Sequence, residues 1–381
     1  MNIKNKSLAI AMTLAMSPLA SQAMGTISFG ENQSVSVGFG AISSFSSTED
    51  AANDGGRSND FALNIARIYF AGQLNEHISG MFNVENSGGI EEAVAGEVSS
   101  SRTFEVLDAV GIFKVSDNVD IYAGRFLSPS SRANMAGPFF ASGGGYWQNL
   151  ASRYGFNGGI IGRDEGIAVV ATTANERLAY SFGAFEGGNI FRLTGLATES
   201  STNSMQDDDL MYAGRLQYSF WDTEPGYYGT GNYLGAKDIF TIGVAARTKG
   251  DGAASTTAVG DYNQWSADLL IEKKLAAGAV SVEAAYYDYD TDDVFLSEQG
   301  DAYSAGLGFI FSEKVGWGQF MPFVRYQSFD NDLDIETERT DLGVNYIIDG
   351  YNAQITTEYR MSETDGAEDQ DQFLVTMQLQ F

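Results

Sequence analysis

The sequence predicts an all-β protein: a transmembrane antiparallel β-barrel of about 16 strands, with one long loop expected to fold into its lumen. Three observations point there. Apolar and polar residues alternate with period two in stretch after stretch, as they do when successive strand side chains face opposite ways. Tight turns and long loops succeed one another between these stretches. The final segment is apolar on one face, polar on the other, and ends in an aromatic residue.

That final segment shows the pattern most clearly. Phe373, Val375, Met377, Leu379 and Phe381 share one face, while Thr376, Gln378 and Gln380 share the other. Residues 210–220 repeat it, with Leu210, Tyr212, Leu216, Tyr218 and Phe220 opposing Met211, Ala213, Arg215, Gln217 and Ser219. In residues 303–311, Tyr303, Ala305, Leu307, Phe309 and Phe311 oppose Ser304, Gly306 and Gly308. Tyr218, Phe220, Tyr286, Tyr326 and Tyr359 lie near strand ends, where barrels carry interfacial aromatic girdles.

The N-terminus carries an export signal. Lys4 and Lys6 form a basic region, residues 8–16 an apolar core, and Ser21-Gln22-Ala23 a small-x-small cleavage site. Residues 1–23 therefore read as a secretory signal peptide and residues 24–381 as the barrel domain. The apolar core is too short to span a bilayer, and no later segment offers the roughly 18 consecutive apolar residues of a membrane helix.

Composition narrows the chemistry. There is no Cys, which excludes disulfides and thiolate catalysis. The single His, His77, falls in an expected turn, so a hydrolase built on a Ser–His pair has no base near a substrate. No cofactor or metal is expected. The net charge of −28 becomes −30 once Lys4 and Lys6 are removed, and a chain this acidic has no footprint for nucleic acid. Its expected partners are the lipid and lipopolysaccharide of a bacterial outer membrane, together with small ions or solutes.

Sixteen strand-like stretches follow in order: 35–39, 66–74, 78–84, 104–115, 119–125, 166–172, 177–185, 210–220, 239–247, 265–272, 280–286, 303–311, 320–327, 342–348, 355–361 and 373–381. Short turns occur at 75–77, 116–118, 174–175, 276–278 and 349–350, and long loops at 46–60, 86–102, 126–163, 187–209 and 249–261. Short periplasmic turns and long extracellular loops are the plan of an outer-membrane barrel, and an even strand number returns both termini to the periplasm. Two connections fit poorly. Residues 221–237 are long where a tight turn is expected, and 312–318 are a milder case.

At about 16 strands a barrel holds an aqueous channel or a plug. The connection at 126–163 is the candidate constriction, with an outward lid or a trimer contact as the alternatives, because Pro138-Phe139-Phe140, Gly143-Gly144-Gly145 and Tyr146-Trp147 make it too apolar to stand in water. Strand parity turns Arg67, Arg125, Arg215, Arg247, Arg325 and Arg360 inward, with Asp268, Glu272, Glu283 and Glu358; the loop adds Arg132, Arg153 and Arg163. Inward arginines can either set an anion-attracting field or pair with wall carboxylates. The acidic run Asp288, Asp290, Asp292, Asp293 begins like a calcium loop but lacks its glycine and ends on Gln299, so it reads as a solvated tip.

The segments Ala66-Arg67-Ile68-Tyr69-Phe70-Ala71-Gly72, Tyr122-Ala123-Gly124-Arg125-Phe126, 343–350 and Gln378-Leu379-Gln380-Phe381 resemble the phosphate-selective porin O and P family. The resemblance covers nearly all of the mature length. It implies a sixteen-stranded, trimeric barrel that passes small anions. The chain departs from that family in its scarce lysine, which leaves a cation-preferring or weakly selective pore as the alternative. An outer-membrane enzyme and a surface adhesin are the rivals of other classes.

Overall fold

The computed structural model of the chain describes residues 24–30, 32–52, 55–86, 104–144, 151–152, 162–187, 209–255 and 257–381. The signal peptide expected at 1–23 lies outside them. Seventeen strands appear in order: β1 (Met24–Ser28), β2 (Ser34–Thr48), β3 (Ser58–Gln73), β4 (Ile78–Asn86), β5 (Glu105–Ser116), β6 (Val119–Leu127), β7 (Arg163–Thr172), β8 (Leu178–Phe185) and β9 (Met211–Ser219). The second half holds β10 (Ile239–Ala254), β11 (Val259–Leu275), β12 (Gly278–Asp290), β13 (Gly300–Phe311), β14 (Gln319–Asn331), β15 (Ile335–Asp349), β16 (Ala353–Thr364) and β17 (Gln370–Gln380).

Strands β2 to β17 pair antiparallel with their sequence neighbours, and β17 pairs back onto β2, from Gln372↔Thr48 to Gln380↔Gly40. Sixteen strands therefore close into a barrel. Phe39 and Phe381 exchange both backbone hydrogen bonds at the seam, at 2.6 and 2.8 Å. Closure leaves no edge of unpaired amides, which is what allows a sheet to cross lipid. Strand β1 lies beyond that seam and pairs with the first residues of β2, from Met24↔Gly38 to Ser28↔Ser34.

The side-chain alternation is inside out relative to a soluble sheet. On β9, Tyr212, Leu216 and Tyr218 are exposed while Met211, Ala213, Arg215 and Ser219 are buried. On β17, Phe373, Met377 and Leu379 point out, and Thr376, Gln378 and Gln380 are buried. The outer wall carries two aromatic girdles. One, at the tight-turn end, includes Tyr218, Phe220, Phe240, Phe320 and Tyr346, and Phe220 stacks on Phe240 at 4.5 Å. The other, toward the loops, includes Trp265, Tyr286, Tyr303 and Tyr326. On β13, the run from Tyr303 to Phe311 spans roughly 21 Å at about 3.4 Å per residue and about 40° tilt, close to the height of a barrel's lipid-facing band.

Most strands run longer than their apolar alternation. β10 and β11 stay paired up to Ala254↔Val259, and β14 and β15 up to Asn331↔Ile335. Much of what reads as the loop 249–261 is thus an extended hairpin above the outer girdle, where side chains no longer need to be apolar. The connection 312–318 remains an exposed turn at the rim, tied by a Val315–Gly318 bridge. The connection 220–238 behaves otherwise and enters the barrel.

Candidate pore constriction

The connection after β6 turns directly into the lumen. Ser128 binds Gly162 at its neck, through both its amide and its hydroxyl. One helical turn (Arg132–Ala136) and a 3-10 turn (Pro138–Phe140) follow. Side chains from widely separated wall strands then hold the loop. Arg247 on β10 donates to the Ser128 carbonyl and hydroxyl, at 3.3 and 2.9 Å, and to the Pro129 carbonyl. Arg215 on β9 reaches the Ser130 carbonyl at 3.2 Å. Gln378 on β17 donates to the Phe139 carbonyl, Arg325 on β14 to Ser142, Arg360 on β16 to Gly144 and Tyr289 on β12 to Ala151. Glu358 accepts from the Gly144 amide at 2.8 Å. Contacts with so many strands are possible only from inside the barrel. Phe139 is fully buried, with the Arg67 guanidinium 5.2 Å from its ring centroid.

The connection between β9 and β10 rises into the lumen from the opposite, tight-turn end. Glu224, Tyr227, Tyr228, Thr230 and Asn232 are all buried. Tyr227 donates to the Leu127 carbonyl, and both tyrosines join Tyr122, Phe126, Met135 and Phe185 in an apolar core inside the wall of β5 to β9. Glu272 on β11 accepts the amides of Tyr233 and Gly235, at 2.8 and 2.6 Å. The two insertions meet. Gly229 and Gly231 donate to the Met135 and Phe140 carbonyls, and Asn232 donates to the Ser142 hydroxyl at 2.8 Å.

A charge cluster joins them. Arg132 of the loop grips Glu224 of the turn with two hydrogen bonds of 2.7 Å. Its backbone amide binds Asp268, which accepts a second bidentate grip from Arg215 at 2.5 and 2.8 Å. Arg215 on β9 reaches Asp268 on β11 by passing over Gly243 on β10, where a Cβ would stand 2.2 Å from the guanidinium. Glycine is needed there for that crossing. Burial raises the cost of a charged Glu224, but the charge and hydrogen bonds of Arg132 outweigh it and hold the carboxyl below its ordinary value. The same pair holds the Arg132 guanidinium above its own, against burial.

Other interior charges are paired too. Arg67 binds Glu85 at 2.6 Å, Arg163 binds Asp108 at 3.2 Å, and Arg339 grips Asp341 at 2.5 and 3.1 Å. Arg360 binds Glu358, and Arg325 lies 3.9 Å from Asp341. Glu283 sits on the interior face of β12, with Gly306 between it and Arg325 in the register.

Of the residues that parity turns inward, Arg67, Arg215, Arg247, Arg325, Arg360, Asp268, Glu272, Glu283 and Glu358 occupy the interior face, and Arg132 and Arg163 lie buried at the inserted loop. Arg125 does not. It belongs to the outward face of β6 and pairs with Glu165 directly opposite on β7, at 3.3 Å. The reason is the apolar core inside this wall, which takes Tyr122 and Phe126 inward and places Ile121, Ala123 and Arg125 on the opposite face. Arg153 lies outside the described residues.

Reading by parity misses Asp341, Arg339, Glu85, Asp108 and Glu224. Arg339 and Asp341 fall in a polar stretch just before the apolar alternation of β15, so they read as loop tip. Glu224 has no periodic signal, only its place in a connection too long for a turn. The calcium-like acidic run is knotted by Gln299, whose amide donates to Asp293 and Asp332 and accepts from Thr291. His77 is an exposed turn residue beside Glu76, at the barrel rim and away from the lumen.

No family model matches the chain, and no curated protein is similar to it in sequence. Solved structures are. Over 91% of this chain and 94% of the other, the fold matches Pseudomonas putida OprB with a TM-score of 0.64 and 11% identity. An anion-selective porin from Comamonas acidovorans matches at a TM-score of 0.59 and 14% identity, over 92% of this chain and all of the other. Salmonella typhi OmpF matches at 0.58 and 14%, over 94% and 100%. At these identities the likeness is one of fold, a closed sixteen-stranded antiparallel barrel.

Proposed function

We propose that the protein is a porin of the bacterial outer membrane, a water-filled diffusion channel for small hydrophilic solutes and ions. The observation that carries this reading is the seating of the long loop inside a sixteen-stranded barrel, gripped by charged wall residues. A lipid-facing apolar band with two aromatic girdles supports the membrane setting, with lipid and lipopolysaccharide as its surroundings. A homotrimer is the assembly that fits the reading, as one solved structure of similar fold, OmpT of Vibrio cholerae, is described in a trimer form.

The finer reading is passage of small anions such as phosphate, as in the phosphate-selective porin O and P family. It rests on the arginines that converge on the loop: Arg132, Arg215, Arg247, Arg325 and Arg360. The pairing of Arg132, Arg215, Arg325 and Arg360 with Glu224, Asp268, Asp341 and Glu358 supports a weak preference over a strong one. The −30 of the mature chain bears less on this, because charges at the loop tips are screened within about 8–10 Å at ordinary salt. The zero-current potential of the purified protein in a planar bilayer under a KCl gradient tests both levels. An anion-selective sign supports the finer reading, and a cation-selective sign removes it. A silent bilayer, with no swelling of liposomes in sugar, returns the adhesin and enzyme readings.

A further inference from the structure

We propose that the connection between β9 and β10 is a second constriction element, entering the pore from the tight-turn end, and that its Glu224 tunes ion preference by neutralising Arg132. The inference deepens the channel reading and rests on it.

Two other turns at this end are tight: the one between β11 and β12 closes across Leu275↔Gly278, and the one between β5 and β6 across Ser116↔Val119. The turn between β15 and β16 sends in a single side chain, Tyr351, whose hydroxyl binds Asn232 and whose ring meets Phe140. The β9–β10 connection instead buries Glu224, Tyr227, Tyr228, Thr230 and Asn232 against the inserted loop. Wall carboxylates prepare the place for it, since Glu272 receives two of its amides. A segment that merely joined two strands would need none of these contacts.

The charge arrangement gives Glu224 a specific role. Both of its oxygens are bound to Arg132, whose other carboxylate neighbour, Asp268, lies 3.9 Å away and already holds Arg215 bidentately. Compensation of Arg132 therefore comes chiefly from Glu224. Removing the Glu224 charge leaves a cation where loop and turn meet, and a bare cation in a confined, low-dielectric passage concentrates anions. Removing the Arg132 charge leaves the buried Glu224 without its counter-charge, so the site becomes negative or neutral and never positive. Only the first neutralisation can therefore raise anion preference, whereas general loosening of the lumen would move both the same way.

The test is the zero-current potential of the full mature protein and of Glu224→Gln and Arg132→Gln in planar bilayers under a KCl gradient. Glu224→Gln is expected to raise the anion-to-cation permeability ratio several-fold over wild type, and Arg132→Gln to lower it or leave it unchanged. A rise in both variants, or none in Glu224→Gln, overturns the inference while a conducting wild type leaves the channel reading standing. A silent wild type removes the channel reading, and this inference with it. Should a single variant fail to insert, the exchanged pair Arg132→Glu with Glu224→Arg keeps the site neutral. Its permeability ratio must then match wild type, and a ratio several-fold away overturns the inference.

Discussion

Between Ser128 and Gly144 the inserted loop is held mostly by its carbonyl oxygens, which accept from Arg247, Arg215, Gln378, Arg325 and Arg360. The turn between β9 and β10 is held at Tyr233 and Gly235 by its amides, which donate to Glu272. The loop leans mainly on wall arginines, with Asp268 and Glu358 taking two of its amides, and the turn leans on the Glu272 carboxyl. The lumen needs both signs of charge for structural reasons, since each sign satisfies backbone groups that would otherwise be buried unpaired. Arginines inside this barrel are thus scaffold as well as field, and a count of inward arginines overstates the field they make.

The sharpest way to break this comparison is to remove the carboxylate on which the loop's entry depends. Asp268→Ala leaves the buried Arg215 guanidinium without its bidentate partner and takes the acceptor from the Arg132 amide. Uncompensated buried charge of this kind costs about 3–5 kcal/mol. Urea unfolding in detergent micelles is expected to show a loss of that order, together with faster proteolysis within the loop. A change below about 1 kcal/mol would mean that water already screens the site.

The matching test on the turn is milder. Glu272→Gln keeps the shape and one acceptor oxygen but turns an amide donor toward the Tyr233 or Gly235 amide in place of the other. A buried donor left unsatisfied costs about 1–3 kcal/mol, so a loss within that range is expected, smaller than that of Asp268→Ala. The variant should also raise single-channel conductance, as the turn drops away from the loop. If Glu272→Gln proved the more damaging of the two, the turn rather than the loop would be the main support of the lumen.

The two insertions also differ in how far the sequence discloses them. Period-two alternation locates every barrel strand, because lipid on one side and polar lumen on the other impose opposite demands on alternate residues. The loop is legible from its apolar composition, as Pro138-Phe139-Phe140 needs something to bury against. The turn is legible only as a misfit in length, since its buried groups are one glutamate, two tyrosines and small polar residues with no periodic mark. Arg125 shows how one charged residue misleads. It shares the outward face of β6 with the apolar Ile121 and Ala123, at the loop end of that face beside Glu165, while Tyr122 and Phe126 turn inward to the core. Arg339 and Asp341 show the complementary failure, since a strand continuing above the lipid band loses its apolar face.

The smallest expected effect concerns pH, and it separates the contact between the insertions from the anchorage of each to the wall. In the folded protein the Glu224 carboxyl lies below its ordinary value: burial opposes the charge, and Arg132 overcomes burial. A depressed acid contributes stability that is complete above its unfolded value and is lost as pH falls through the folded one. The docking of turn on loop is therefore expected to hold from neutral pH down through the ordinary glutamate range near about pH 4.3, and to weaken only below it. Acid titration of other carboxylates will alter conductance as well, so the informative quantity is the difference between wild type and Glu224→Gln. Above that range the two should differ steadily in permeability ratio. Below it they should converge, because protonation makes wild type electrostatically equivalent to the variant at this position. Convergence already at neutral pH would show that Glu224 is not charged in the open pore, and the grip on Arg132 would then be absent from the conducting state.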